Sequence, residues 1–156
     1  FIHQDPLIST DTTKYKTSKG RVVYGGGGIR PDVFVAMDTT ADNDYYFTVR
    51  SFIPEFTYKY SSQHSGMGDR YKSVEEFHAK FSVTDELLNE FYTYAISAGL
   101  KTNGEKDKGV KSKIRTLLKA FFAKQLWRSN GYYYIINQED KVIATAISEL
   151  NKNATK

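Results

Sequence analysis

With 156 residues and no cysteine, the chain suits one domain, or a small domain carrying a piece of another, and has neither a disulfide framework nor a cysteine-based metal site. A formal charge of +4 permits an acidic partner without pointing to one, and no apolar run approaches the roughly twenty residues that span a bilayer. Hydrophobic residues are only 40% of the chain, yet twelve Tyr and ten Phe bring enough area each to build a core.

Ile2, Leu7 and Ile8 surround Asp5-Pro6 in a short extended piece, and residues 9–13 are polar and turn-like. Tyr15 and Thr17 alternate with lysines up to Ser18-Lys19-Gly20, which predicts a strand entering a turn. Arg21 to Tyr24 and Val33 to Val35 are expected as short strands on either side of Gly25-Gly26-Gly27-Gly28. No helix fits across this stretch, because Pro31 fixes its own φ and pushes Arg30 into an extended conformation. The glycine run is not a phosphate cradle: a P-loop needs Gly-Lys-Ser/Thr opening a helix, whereas Ile29-Arg30-Pro31 here leads into a β-prone run.

Tyr15-Lys16-Thr17, Gly20-Arg21-Val22-Val23-Tyr24, the four glycines, Ile29 and Pro31-Asp32-Val33 together carry a resemblance. In order and spacing they look like the segment that follows the catalytic core of carboxy-terminal processing peptidases, the tail-specific proteases. The longer glycine run and the region after it look most like envelope members from Bacteroidetes-type bacteria. The motif covers residues 14 to 35, and a weaker likeness extends through Phe81 to Phe91 and Lys119 to Leu150. The resemblance implies a parent serine endopeptidase with a Ser-Lys dyad and a PDZ domain that recognises substrate C-termini, placed in the periplasm or cell envelope and acting on protein substrates. Those catalytic residues would lie upstream of this chain. No Ser-x-x-Lys or Gly-x-Ser-x-Gly pattern occurs within it, so the fragment alone is expected to be inactive.

Residues 1 to 38 are too few to close a core, since independent stability takes three or more strands with an apolar face, or a helix to cover them. The arm is expected to be partly disordered, docked on the helices, or paired with another copy. Unpaired strand edges recruit other chains, which makes residues 14–35 a candidate homo-oligomer contact. Asp38 to Asp42 is the expected boundary between this arm and a helical domain over 39–156.

The first helix is predicted to start after Thr40 or Asp42 and to run through Tyr46, Phe47, Val49, Phe52 and Ile53, with a kink or break at Pro54. Phe56, Tyr58 and Tyr60 continue an aromatic stripe assigned to the core, and Ser61 to Gly68 ends the element. Ser73-Val74-Glu75-Glu76 is a capping box opening a short helix through Phe77 and Phe81. Thr84 caps the next helix with Val83 and Leu88 as its staple, and Gly99 ends it as a left-handed C′ residue. After a solvated loop at Lys101 to Gly109, a long amphipathic helix from Val110 places Ile114, Leu117, Leu118, Phe121, Phe122 and Leu126 on one side. Lys111, Arg115 and Lys119 form a basic stripe on another side. Such a stripe suits nucleic acid or an anionic membrane, but nearby acidic residues favour a solvated face, and no nucleic-acid partner is assigned. Ser129-Asn130-Gly131 is expected to break this helix after Trp127. Tyr132 to Ile136 is a strand by propensity or a helical turn, the latter favoured because no partner strand is evident. A last helix from Gln138 or Asp140 runs to Leu150, with Asn151 to Lys156 fraying.

The fold class that results is mainly α, about four to five helices behind a short β/loop arm. His3, His64 and His78 lack metal-ligand spacing, and Glu75-Glu76 is explained by its cap, so no catalytic, substrate-binding or metal residue is assigned and no cofactor is implied. Two function classes stand. In one, the chain is the non-catalytic C-terminal region of a tail-specific protease, aiding substrate access, domain packing or oligomerisation. In the other, the helices are an independent protein-binding module with no role in proteolysis.

Overall fold

The structure is a computed structural model that describes residues 13–24, 33–37, 39, 41–101 and 108–154. The glycine run, Pro31-Asp32, His3 and most of the loop after Lys101 lie outside the described residues, and with them the expected glycine crossover. The chain divides into two compact units, Phe1–Thr39 and Thr40–Lys156.

In the first unit, β1 (Lys14–Lys16) pairs antiparallel with β2 (Val22–Tyr24), Tyr15 facing Val23. The turn between them closes by the Thr17 N–H donating to the Arg21 carbonyl at 2.8 Å and the Gly20 N–H to the Thr17 carbonyl at 2.8 Å. Gly20 sits at φ +79°, a conformation that costs a residue without Cβ nothing. Val33 to Val35, expected as a strand, has no ladder among the described residues; β propensity alone does not make a strand where no partner edge pairs with it.

The second unit is helical. Asn43, rather than Thr40 or Asp42, caps α1 (Asp44–Val49): its Oδ1 accepts the Tyr46 N–H at 2.8 Å. A 3-10 turn over Arg50–Phe52 leads into α2 (Ile53–Gln63), so Pro54 falls in a first turn, where its missing N–H costs no helical bond. With this division the described residues hold six α-helical elements, α1 to α6, beside the expected four to five. A second 3-10 stretch, Ser65–Arg70, precedes α3 (Val74–Lys80).

Ser73 caps α3 as expected, accepting the Glu76 N–H at 3.3 Å, but Glu76 reaches back to the N–H of Lys72, at 2.8 Å, not to that of Ser73. Thr84 caps α4 (Asp85–Ser97) by accepting the Leu87 N–H at 3.3 Å, with Val83 and Leu88 both buried. The end of α4 is a Schellman motif. The Leu100 N–H reaches the Ala95 carbonyl and the Gly99 N–H the Ile96 carbonyl, with Gly99 at φ +105° and Leu100 buried behind it.

The core lies along α5 (Lys108–Gln138). Val110, Ile114, Leu118 and Phe122 recur every fourth residue and are all fully buried, one i±4 ridge of the helix. Phe56 of α2 meets it, with ring centroids 5.3 Å from Phe91 and 6.5 Å from Phe122. The array continues through Phe81, 5.5 Å from Phe122, and Phe77, stacked on Phe81 at 4.6 Å, to Trp127 at 5.5 Å from Phe77. The aromatic stripe of α1 and α2 is therefore core at Tyr46 and Phe56, beside buried Val49 and Ile53, while Phe47 and Tyr58 face solvent.

Asp140 opens α6 (Lys141–Ala154), its Oδ1 accepting the N–H groups of Val142 and Ile143. The helix continues beyond Leu150 to Ala154, past the expected point of fraying. Its Val142, Ile147 and Leu150 are exposed.

Candidate functional site

The break expected after Trp127 is present inside α5, but it takes the form of a reversal that the sequence did not show. The backbone leaves helical geometry at Trp127 (φ −125°, ψ 20°) and Arg128 (φ 55°, ψ −145°), and residues 129–138 form a second helix. Three contacts show that the two halves fold back on one another. The Thr116 hydroxyl donates to the Glu139 carboxylate at 2.8 Å, although a continuous helix would hold residues that far apart in sequence about 34 Å apart. The Phe121 and Tyr132 rings meet at 5.3 Å. At Gly131, an added Cβ would lie 2.4 Å from the Ala123 carbonyl oxygen. All three pairs centre on Trp127 and its neighbours, the signature of an antiparallel helical hairpin with almost no connecting loop.

Gly131 is thus a close-approach residue rather than the helix breaker that Ser129-Asn130-Gly131 suggested. It is buried and helical, and the backbones meet there because it has no side chain. The reversal is carried instead by Arg128, a non-glycine residue at positive φ in a region that is essentially glycine-only. Tyr132 to Ile136 lies in the returning helix, with Ile135 buried.

A groove of about 440 Å³ opens beside this reversal. The approach to α3 contributes Lys72, Ser73, Val74 and Glu75, and the reversal contributes Leu126, Trp127, Arg128 and Asn130. Its apolar part is half-buried Val74, Leu126 and Trp127. The Glu75 carboxyl is held below the ordinary carboxylate range by the Ser73 hydroxyl and by its own backbone N–H. The Glu76 carboxylate is committed to Lys80 at 2.7 Å and to the Lys72 N–H, which leaves the Lys72 ammonium outside that pair. Among the described residues, neither the Lys72 ammonium nor the Arg128 guanidinium has an ion pair.

The basic stripe has a different fate. Arg115 donates to the Val83 carbonyl and to Asp85, and Lys119 donates to the His78 carbonyl at 2.7 Å. That carbonyl is in the last turn of α3, where it lacks an intrahelical partner, so the lysine acts as a cap and opposes the negative helix end. Burial lowers the Lys119 pKa, and Glu139 opposes the shift. The stripe is therefore not a solvated face at Arg115 and Lys119; it ties α5 to the end of α3 and the linker after it. Lys113, off the stripe, is spent on Asp42 at 2.6 Å and lies 5.5 Å from the Tyr46 ring centroid.

His78 sits under this tie, its ring 5.9 Å from Tyr134 and its Nδ1 buried without a hydrogen-bond partner among the described residues. Burial lowers its pKa, the Lys119 charge lowers it further, and Glu139 opposes both. His64 is exposed, stacked on Tyr60 at 4.0 Å, and its Nδ1 donates to the Tyr60 carbonyl at 2.9 Å. Among the described residues no group of three His, Asp, Glu or Cys side chains is placed to hold a metal ion, and no helix is long and apolar enough to cross a membrane.

Residues 45–128 match a family of unknown function (DUF8443). The chain belongs to that family. The matched residues run from α1 to Arg128, so they include every core position of α1 to α4 and the first half of α5, and they end at the reversal itself. No curated protein and no solved structure matches the chain.

Proposed function

We propose that this chain is the non-catalytic C-terminal region of a tail-specific serine endopeptidase of the periplasm or cell envelope. In this reading the helical unit serves substrate access, packing on the protease body or oligomerisation, and the Ser-Lys dyad lies upstream. The observation that carries the reading is the ordered motif from Tyr15 to Val33, with its glycine run and Pro31-Asp32. The character of the helical unit is in keeping with it. Ser73 and Lys119 close the two ends of α3, and Lys113 pairs with Asp42, contacts that suit a scaffold.

One observation favours a second reading. The family match begins at residue 45, within the helical unit, and leaves out the glycine segment. That supports an independent helical protein-binding module whose attachment to the arm is incidental to proteolysis.

The test is cleavage of an unstructured, C-terminally tagged protein by the full-length protein that contains this chain, beside the same protein truncated after Val35. Cleavage by the intact form, with a folded truncated form that loses activity or tail selectivity, supports the first reading. Equal cleavage by both keeps the protease parentage and gives the helices to the second reading. Absence of cleavage by either overturns the protease assignment.

A further inference from the structure

Two features of the reversal require each other's explanation. A glycine at residue 128 would serve the backbone at no steric cost, yet the chain carries an arginine there, at φ 55°. Arg128 lines the groove together with a second cation, Lys72, and among the described residues neither makes an ion pair. Ser73 and Asn130 also line it, the Ser73 hydroxyl already accepting the Glu76 N–H. Val74, Leu126 and the Trp127 indole supply an apolar surface beside these groups. The groove, about 440 Å³, is open to solvent and sets a few polar groups beside an apolar lining, the pairing that ligand sites use.

We propose that this groove is a peptide-binding site that takes an extended segment presenting a carboxylate beside an apolar side chain. The carboxylate lies against the Arg128 guanidinium and the Lys72 ammonium, and the apolar side chain packs on Trp127, Leu126 and Val74. A guanidinium offers a planar fork of donors to a carboxylate, which sets the orientation of the ligand as well as its charge. Glu75, kept ionised at the same groove, repels a second acidic group and so favours a peptide with one carboxylate at the contact over a polyanion. The proposal goes beyond the protease reading and does not depend on it, since every residue it uses is in the helical unit.

Trp127 is the single tryptophan of the chain, so its fluorescence and its indole N–H resonance carry a signal from the groove free of other tryptophans. The experiment titrates the full chain with three eight-residue unstructured peptides. One ends in Leu-Phe with a free carboxylate; one has the same sequence with an amidated end; one is amidated and carries an internal Glu before the Leu-Phe pair. Arg128→Gly and Lys72→Met are titrated in parallel. Arg128→Gly removes the guanidinium while relaxing the backbone, so lost binding cannot be ascribed to lost folding.

The expected result is a saturable, salt-sensitive change at Trp127 with the free-acid peptide, the internal-Glu peptide or both. Arg128→Gly and Lys72→Met should each weaken binding by about tenfold or more, as loss of a charge-assisted contact does. The pattern between the two acidic peptides tells whether the recognised carboxylate is a chain end or a side chain. Binding of the neutral amidated peptide with equal affinity, retention of affinity by both variants, or no response of Trp127 to any peptide would overturn the proposal.

Discussion

Replacing Gly131 by alanine gives the sharpest test of the helical hairpin, because local and tertiary effects have opposite signs. In an isolated helix Ala is better than Gly by up to about 1 kcal/mol, so propensity predicts stabilisation. The hairpin predicts the reverse. The added Cβ would stand 2.4 Å from the Ala123 carbonyl oxygen, 2.8 Å from its carbon and 3.1 Å from the Trp127 Cβ. The first two are backbone atoms, so no rotamer change relieves the clash and the returning helix must shift as a body. Overpacking of this kind costs about 1–3 kcal/mol, occasionally more, and a backbone clash belongs at the upper end. Set against the propensity gain, the net loss is about 2 kcal/mol, or a fall in Tm approaching 10 °C for a unit of this size. Urea and thermal unfolding followed by far-ultraviolet circular dichroism, with Gly66→Ala as the control, measure it. Nothing lies within 4 Å of a Cβ at Gly66. A Gly131→Ala protein as stable as the parent, or more so, would refute the folded-back arrangement.

Arg128→Gly should raise stability by about 1 kcal/mol in the same unfolding experiment, since strain of about 1–3 kcal/mol is relieved against a glycine entropy cost of about 0.5–1 kcal/mol; a loss of stability would show that the backbone there is not strained. Lys119→Met keeps the aliphatic stem but leaves the His78 carbonyl without its donor, and should cost about 1–2 kcal/mol while leaving retention on heparin unchanged; the opposite pattern would return the stripe to an anion-binding role. The pH dependence follows from His78, whose pKa is depressed in the folded state. Between its ordinary value of 6.5 and that lower value the unfolded chain binds the proton and the folded one does not, so stability is full above 6.5 and falls as pH drops below it. His78→Asn should flatten this limb, and should leave the separate loss below pH 4.5, where Glu55, Glu75, Glu76 and Glu86 protonate; an unchanged limb would exonerate the histidine. Sedimentation of the full chain beside a form lacking residues 1–38 tests the arm, which exposes Tyr15, Val22, Val23, Val33 and Phe34. Association that disappears with the arm is expected, and monomers in both would remove the 14–35 contact.

Where a structural event is local, this sequence states it. Ser73, Thr84 and Gly99 act within a turn of their own position, through hydrogen bonds to N–H and carbonyl groups a few residues away, and each performs the role that its chemistry suggests. The four-residue recurrence of Val110, Ile114, Leu118 and Phe122 likewise fixes which face of α5 is buried before any partner is known.

The reversal at Trp127-Arg128 depends on other chain segments. Arginine has no preference for positive φ, so residue 128 itself does not announce the turn, and Gly131, which the sequence offers as part of the breaker, permits helix-to-helix approach instead. The same holds for Arg115 and Lys119. Their spacing places them together on a helix, but whether such a stripe meets solvent, phosphate or the open end of a neighbouring helix is decided by what packs there. The groove depends on the same packing, because Lys72 and Arg128 are far apart in sequence and line one groove only once α5 lies beside α3. Sequence determined the caps of α3 and α4, the left-handed end of α4 and the buried ridge of α5, since those follow from backbone hydrogen bonding and periodicity within a few residues. Tertiary structure alone decided that the chain doubles back on itself after Trp127 and which charges are left over at that turn, because both depend on atoms that long-range packing brings together.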